Sequence, residues 1–279
     1  MADPTLRGIA AFHLVTADPD RLAEFYRDAL GFRVEGGVEP IPAAEMELLG
    51  LEGGGSRRRL RIGEQWVVID WFERAGQPYP SVRNAASPFF QHLALVVIDM
   101  HAAYERLRIV TPITRGGPRM LPRSSGGVTA FKFRDPDGHP LELLEFPDAE
   151  MPKAWREREP DNAGSVLGID HSAISVSDAE RSAGFYERLG LRRGEAGLNQ
   201  GLEQEHLDGL DGVRVAVLPM RPEAGTPHLE LLGYQEPPTR GDPDLRPNDV
   251  AATRIRWRAD GAELLRDPDG HLHQLDADG

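Results

Sequence analysis

A six-residue string, Arg134-Asp135-Pro136-Asp137-Gly138-His139, recurs as Arg266-Asp267-Pro268-Asp269-Gly270-His271. A repeat of that length in 279 residues is not a chance event; it commits the chain to internal duplication. Copies of one unit must fold alike, so each copy can be read against the others for polar chemistry kept or lost.

The clearest copy begins at residues 168–178, which alternate as a strand and end at Asp178, a helix N-cap. Helical spacing of Phe185, Tyr186 and Leu189 follows, and Gly190 closes the helix. Strands are expected at 213–218 and 227–234. The N-terminal stretch repeats the order: a strand over 9–16, the cap Asp18, a helix through Leu22, Phe25 and Tyr26 to a stop at Gly31, and strands over 59–62 and 66–72. Seven residues separate Asp18 from Phe25 and also Asp178 from Phe185. A further copy runs from a strand over 90–99 through a helix carrying Ala103, Tyr104 and Leu107. Its strands at 128–133 and 140–146 are joined by the Asp-Pro-Asp-Gly turn. The last copy keeps a strand over 252–258, the repeated turn and a closing strand within 263–275, with no helix between them. The chain is thus expected to be α+β, with four βαβββ-type units, the fourth degenerate. They divide into an N-terminal module over 1–148 and a C-terminal module over 163–279, joined by a Pro-rich, acidic linker over 149–162.

A net charge of −13 argues against nucleic acid and against an anionic membrane surface as partners. The chain has no cysteine, which excludes disulfides, thiolate metal sites and cysteine nucleophiles. No basic leader precedes an apolar run at the N-terminus, and no apolar stretch approaches the roughly 18 residues of a membrane span. The expectation is a cytoplasmic protein, monomer or homodimer, whose partner is a small-molecule substrate.

Strand–helix–strands units with an opening His, a Phe-Tyr/Leu-Gly helix, an Asp-Pro-Asp-Gly-His turn and a closing Leu-Glu-Leu strand resemble the vicinal oxygen chelate superfamily. That superfamily includes glyoxalase I, extradiol dioxygenases, methylmalonyl-CoA epimerase and the fosfomycin and bleomycin resistance proteins. The resemblance covers nearly the whole chain and weakens in unit four. It implies that two units pair into a cupped barrel, each offering one ligand from its first strand and one from its last.

Registered on the cap, His92 lies seven residues before Asp99 and His171 seven before Asp178. The same offset from Asp18 falls on Ala11, with His13 two residues further along, and in unit four it falls near Ala252. In the closing strands Glu142 and Glu230 match, Gln274 takes their place in unit four, and Val68 is preferred over Asp70 in unit one. The surviving set is His92, Glu142, His171 and Glu230, divided between units two and three. Pairing of two with three and one with four gathers this set in one barrel and vacates the other. Pairing of one with two and three with four leaves half a site in each. The first arrangement is preferred.

Two imidazoles and two carboxylates suit one six-coordinate divalent metal (Ni, Zn, Co, Mn or Fe), with two positions open to water or substrate. The resemblance implies a Lewis acid for a carbonyl or enediolate oxygen. It also implies a displaced carboxylate, Glu142 or Glu230, as the base that moves a proton between adjacent carbons. Arg123, Ser124 and Ser125 lie in a basic, hydroxyl-rich loop suited to an anionic substrate group. His13 and Asp70 read as a residual polar pair with a partly exposed His. His139 and His271 read as turn residues, His228 as a strand-end residue or a group behind the ligands, and His206 as a surface residue. Three functions are expected in order of preference: a glyoxalase I-like lyase or isomerase, an Fe(II) extradiol-type ring-cleaving dioxygenase, and a non-catalytic small-molecule or antibiotic binder.

Overall fold

The computed structural model describes residues 3–107, 110–160, 165–241 and 243–277, the side chain of Ser124 excepted. Residues 1–2, 108–109, 163–164, 242 and 278–279 of the expected modules and 161–162 of the expected linker lie outside these.

Unit one comprises β1 (Gly8–Val15), α1 (Pro19–Asp28), β2 (Arg33–Pro40), α2 (Ala43–Leu48), β3 (Gly55–Ile62) and β4 (Gln65–Phe72). Unit two comprises β5 (Gln91–Val97), α3 (Met100–Arg106), the short strands β6 (Thr111–Pro112) and β7 (Arg119–Met120), a 3-10 turn (Arg123–Ser125), β8 (Thr129–Arg134) and β9 (Pro140–Glu145). A short helix, α4 (Lys153–Arg156), follows. Unit three comprises β10 (Val166–Val176), α5 (Ala179–Arg188), β11 (Arg192–Arg193), β12 (Gly197–Gln200), α6 (Leu202–Asp208), β13 (Arg214–Arg221) and β14 (His228–Glu236). Unit four has β15 (Arg254–Ala259), β16 (Glu263–Arg266) and β17 (Leu272–Ala277), with no helix between its first two strands.

The unit helices start where the sequence places their caps. Asp18, Asp99 and Asp178 each accept hydrogen bonds from backbone N–H groups of the first turn, satisfying donors that the helix itself leaves open. Two of them end on left-handed glycines, Gly31 (φ 78°) and Gly190 (φ 88°). There Phe32 and Leu191 donate back to the carbonyls of Tyr26 and Tyr186. The inward stripes Leu22, Ala23 and Tyr26 of α1 and Ala183 and Tyr186 of α5 join the sheets in one apolar cluster. Each such large side chain contributes about 1.5–3 kcal/mol by leaving water.

The strands form two curled sheets. One, in the order β16-β17-β15-β1-β4-β3-β2, joins units one and four; the other, β11-β13-β14-β10-β5-β9-β8-β6, joins units two and three. The seams are antiparallel, β1 with β15 and β5 with β10. The preferred pairing of units, two with three and one with four, is the one observed.

The repeated hexapeptide ties together units that the sheets leave unpaired. Asp135 Oδ1 accepts from the backbone N–H groups of Asp137, Gly138 and His139, and its other oxygen receives the hydroxyl of Tyr26 in unit one. Asp267 organises its own turn the same way and accepts from Tyr186 of unit three at 2.8 Å. The second aspartate of each turn reaches the preceding unit as well: Asp137 binds Thr16 and Arg21, and Asp269 binds Ser177, Arg181 and Ser182. Thus the sheets join two with three and one with four, while the turns clamp one to two and three to four. Unit four keeps its turn although it has lost its helix, because the turn's partner lies in unit three. Among the described residues, no helix is long and apolar enough to cross a membrane.

Candidate metal centre

Alternation sends every second side chain of a strand into the cup of the two-plus-three barrel. β5 contributes His92, β9 Glu142, β10 His171 and β14 both His228 and Glu230. Glu142 pairs with Ala94 and Glu230 with Ala173, each two residues beyond its unit's histidine. Across the seam His92 faces Ala173 and His171 faces Ala94. Each unit therefore presents a diagonal His–Glu pair, and the seam interleaves the two pairs about one point.

The His92 and His171 rings are 5.6 Å apart, and His92, Glu142 and His171 each offer a donor atom within 4.8 Å of the other two. Donors about 2.1 Å from a shared cation stand about 3–4 Å from one another, so the trio is gathered to within about an ångström of a ligand set's spacing. His92 Nε2 lies 2.9 Å from Glu142 Oε2, yet neither ring nitrogen of this buried histidine finds a hydrogen-bond partner. Buried polar atoms left orphaned in this way are unusual, and a cation at the focus of the trio would satisfy Nε2, the nitrogen that faces Glu142. Glu230 belongs to neither close trio. Its carboxylate lies 3.4 Å from His171 Nε2 and 3.5 Å from His228 Nε2. His228 is buried against His171, with ring centroids 5.4 Å apart, and both its nitrogens are also without partners. It forms a second trio with Asp170 and His171.

Electrostatics distinguish the two carboxylates. Burial works to raise Glu142, but the ammonium of Lys132 and the neighbouring imidazoles outweigh it and hold the carboxyl at about 2. Lys132 stands directly across the β8–β9 ladder from Glu142, buried, with Nζ 2.7 Å from Asp208 Oδ1. Asp208 also accepts from Gln204 at 2.8 Å and from the Tyr234 hydroxyl at 3.0 Å. In unit three the position facing Glu230 is Pro219, which carries no charge. Burial lowers His92 despite Glu142 beside it. His171 is depressed by burial too, but Glu230 and Asp170 prevail and lift it to about 9.

These groups open on a cavity of about 370 Å³ walled by Leu121, Val215, Val217 and Leu232. Ser125 lines it and donates to Asn199 Oδ1 at 2.8 Å. Arg123 is exposed and does not line it, and the side chain of Ser124 lies outside the described residues. His139 binds Asp135 within its turn, and His271 reaches the Ser175 carbonyl. His206 lies half-buried on α6.

The one-plus-four barrel has a different content. In unit four Gln274 pairs with Arg256, which places Arg254, two residues earlier, at the ligand position. The sequence-based placement near Ala252 is two residues off, because a strand without a following cap has no fixed point to count from. In unit one Val68 pairs with His13, two residues after Ala11, so Ala11 and Val68 are the vacated pair and His13 and Asp70 sit one pleat further along. His13 is fully buried, contrary to the expected partial exposure. Its Nδ1 is 2.8 Å from Asp70, and Arg57 and Arg254 bind the same carboxylate.

Asp170, Trp155, Lys132 and Asp208 were not singled out from sequence. Lys132, between Phe131 and Phe133 of a strand whose phenylalanines enter the core, carried a legible signal: it had to point into the cup. Asp170 carried none, since its direction depends on a bulge.

A family profile described as Glyoxalase/Bleomycin resistance protein/Dioxygenase superfamily matches residues 8–143. No curated protein matches the sequence. Among solved structures, glyoxalase I from Zea mays aligns over 98% of this chain and 92% of its own, with 16% identity and a TM-score of 0.57. A putative dioxygenase from Bacillus subtilis aligns over 99% and 87%, with 15% identity and the same TM-score. With the four units and the two-with-three seam in agreement, the profile match assigns residues 8–143 to the Glyoxalase/Bleomycin resistance protein/Dioxygenase superfamily, and the whole chain shares the fold of the glyoxalase I and putative dioxygenase structures.

Proposed function

We propose that this protein is a divalent-metal enzyme of the glyoxalase I-like type, a lyase or isomerase that moves a proton on a small substrate with neighbouring oxygens. The observation that carries the reading is the convergence of His92, Glu142 and His171 within 4.8 Å, with the buried His92 Nε2 lacking a hydrogen-bond partner. A divalent cation bound there supplies Lewis-acid stabilisation of negative charge on a substrate oxygen. The protein's own groups do the rest. His92, His171 and Glu142 would hold the ion, and the Lys132 ammonium across the ladder keeps Glu142 ionised. Glu230 faces no cation across its ladder and stands outside the close trio, so its carboxylate is the one placed to take up and return a proton. The apolar wall of Leu121, Val215 and Leu232 receives the body of the substrate.

One observation favours a second reading. The close trio is two imidazoles and one carboxylate, the set of a non-haem Fe(II) oxygenase with positions left for O₂. Elemental analysis of the purified protein beside His92→Ala and Glu230→Ala separates the possibilities. Bound Ni, Zn, Co or Mn, lost on His92→Ala, supports the isomerase. Iron with O₂ consumption on catechols supports the dioxygenase. Absence of metal after dialysis against a weak chelator leaves a non-catalytic binder.

A further inference from the structure

The bulge that precedes His171 holds a carboxylate aimed at the back of that imidazole. In the β5–β10 ladder Ile169 pairs with Leu95 and His171 with Ala94, so Asp170 is the extra residue. Such a bulge turns one additional side chain onto the face of its neighbour. Asp170 Oδ2 consequently lies 3.0 Å from His171 Nδ1, and 3.9 Å from His228 Nδ1. Its other oxygen accepts from the indole N–H of Trp155 at 2.9 Å. Trp155 belongs to α4, in the segment joining the two halves, and is buried against Val96 and Leu167 beneath the Arg158 guanidinium. The bulge is gripped from the other barrel: Gln65 of unit one donates its amide to the Ile169 carbonyl and accepts from the Ile169 N–H. The β1–β15 ladder has the same bulge, at Ala10 before Ala11, and carries no carboxylate there. The bulge therefore does not itself demand an acid; the barrel that gathers the imidazoles has one and the vacated barrel has none.

We propose that Asp170, braced by Trp155, is the positioning residue of the candidate metal centre. It holds His171 with Nδ1–H directed at the Asp170 carboxylate and leaves Nε2 as the donor to the cation. This rests on the metal reading above. The chain segment between the halves then sets ligand geometry as well as connecting them, and unit one, though emptied of ligands, supports the site through Gln65. Outer carboxylates of this kind fix the ring and its tautomer, and their loss weakens metal binding about 10–100-fold.

The test uses the full-length protein stripped of metal and titrated with Co(II), in the wild type, Trp155→Phe and Asp170→Ala, against a chelator of known affinity. Trp155→Phe keeps the ring and removes only the N–H. The expected result is Co(II) affinity weaker by about tenfold in Trp155→Phe and by up to about 100-fold in Asp170→Ala, with an altered visible Co(II) spectrum in both. The rise in melting temperature on adding Co(II) shrinks in both variants even if their metal-free melting temperatures fall. Affinities and spectra equal to wild type in both variants would overturn the brace while leaving the metal reading intact. A wild type that takes up no Co(II), Ni(II), Zn(II), Mn(II) or Fe(II) would overturn the metal reading and the brace with it.

Discussion

Arg254 and Asp70 form an ion pair in which neither side chain touches solvent. Arg254 stands in the one-plus-four barrel at the position that His92 and His171 take in its counterpart. Asp70, one pleat along from the vacated Val68, receives the guanidinium together with Arg57 and His13. The second cup thus holds a buried cationic side chain where the first gathers imidazoles.

Such a pair is costly to break one-sidedly, because the buried Asp70 carboxylate is then left with Arg57 and His13 alone. Arg254→Met is expected to lower unfolding free energy by about 1.5–3 kcal/mol, the worth of a hydrogen bond to a charged group. Arg254→Met with Asp70→Asn should recover a substantial part. Urea denaturation of both variants checks this, and a double variant no more stable than the single would count against the pairing.

The same geometry bears on metal content. His at Ala11 and Glu at Val68 would add donors at the two matched positions of unit one, but Arg254 still stands at the matched position of unit four. Ala11→His/Val68→Glu is expected to leave metal per chain unchanged from wild type in elemental analysis. Addition of Arg254→His and Gln274→Glu is what should admit a second ion.

Much of this was legible in the sequence, for identifiable reasons. The caps Asp18, Asp99 and Asp178 are local chemistry, and counting from a cap fixed His92 and His171 in the same register because a strand's period admits no half-steps. The pairing of units followed from where the ligands survived. Unit four has no cap, and there the count slipped by two residues to Ala252. The strand β2 went unread because it is exposed on both faces and carries Gly36 and Gly37, so it shows no alternation. The repeated turn was legible as a repeat but not as a clamp, since Tyr26 and Asp135 are 109 residues apart. Asp170 was hidden because on an unbulged strand it would face away from His171.

His273 gives a pH dependence. It is fully buried; the Trp257 indole N–H donates to its Nδ1 at 3.0 Å, and its Nε2 lies 2.8 Å from the Tyr186 hydroxyl. Protonation would set an Nδ1–H against the indole N–H, and burial holds the folded-state pKa down to about 4 from 6.5. The unfolded chain therefore binds this proton first. The contribution to stability is complete above pH 6.5 and is lost as pH falls from there to about 4, amounting to about 3 kcal/mol. His273→Gln should flatten the dependence of urea midpoints on pH across that window. An unchanged slope would show that His273 is not the group responsible.

Lys132 offers the complementary experiment at the metal centre. Its ammonium, 2.7 Å from Asp208 and opposite Glu142, serves two carboxylates at once. Lys132→Met strands the buried Asp208 charge and is expected to cost about 3 kcal/mol or more of stability. In Lys132→Met/Asp208→Asn the amide keeps its contacts with Gln204 and Tyr234, and stability should largely return. Glu142 remains without its ammonium in that double variant, so its carboxyl titrates above about 2 and protons compete better with the cation in acid. Metal affinity measured at pH 5 should then fall more than affinity at pH 8. Parallel losses at both values would mean that Lys132 supports the strand but does not govern the charge on Glu142.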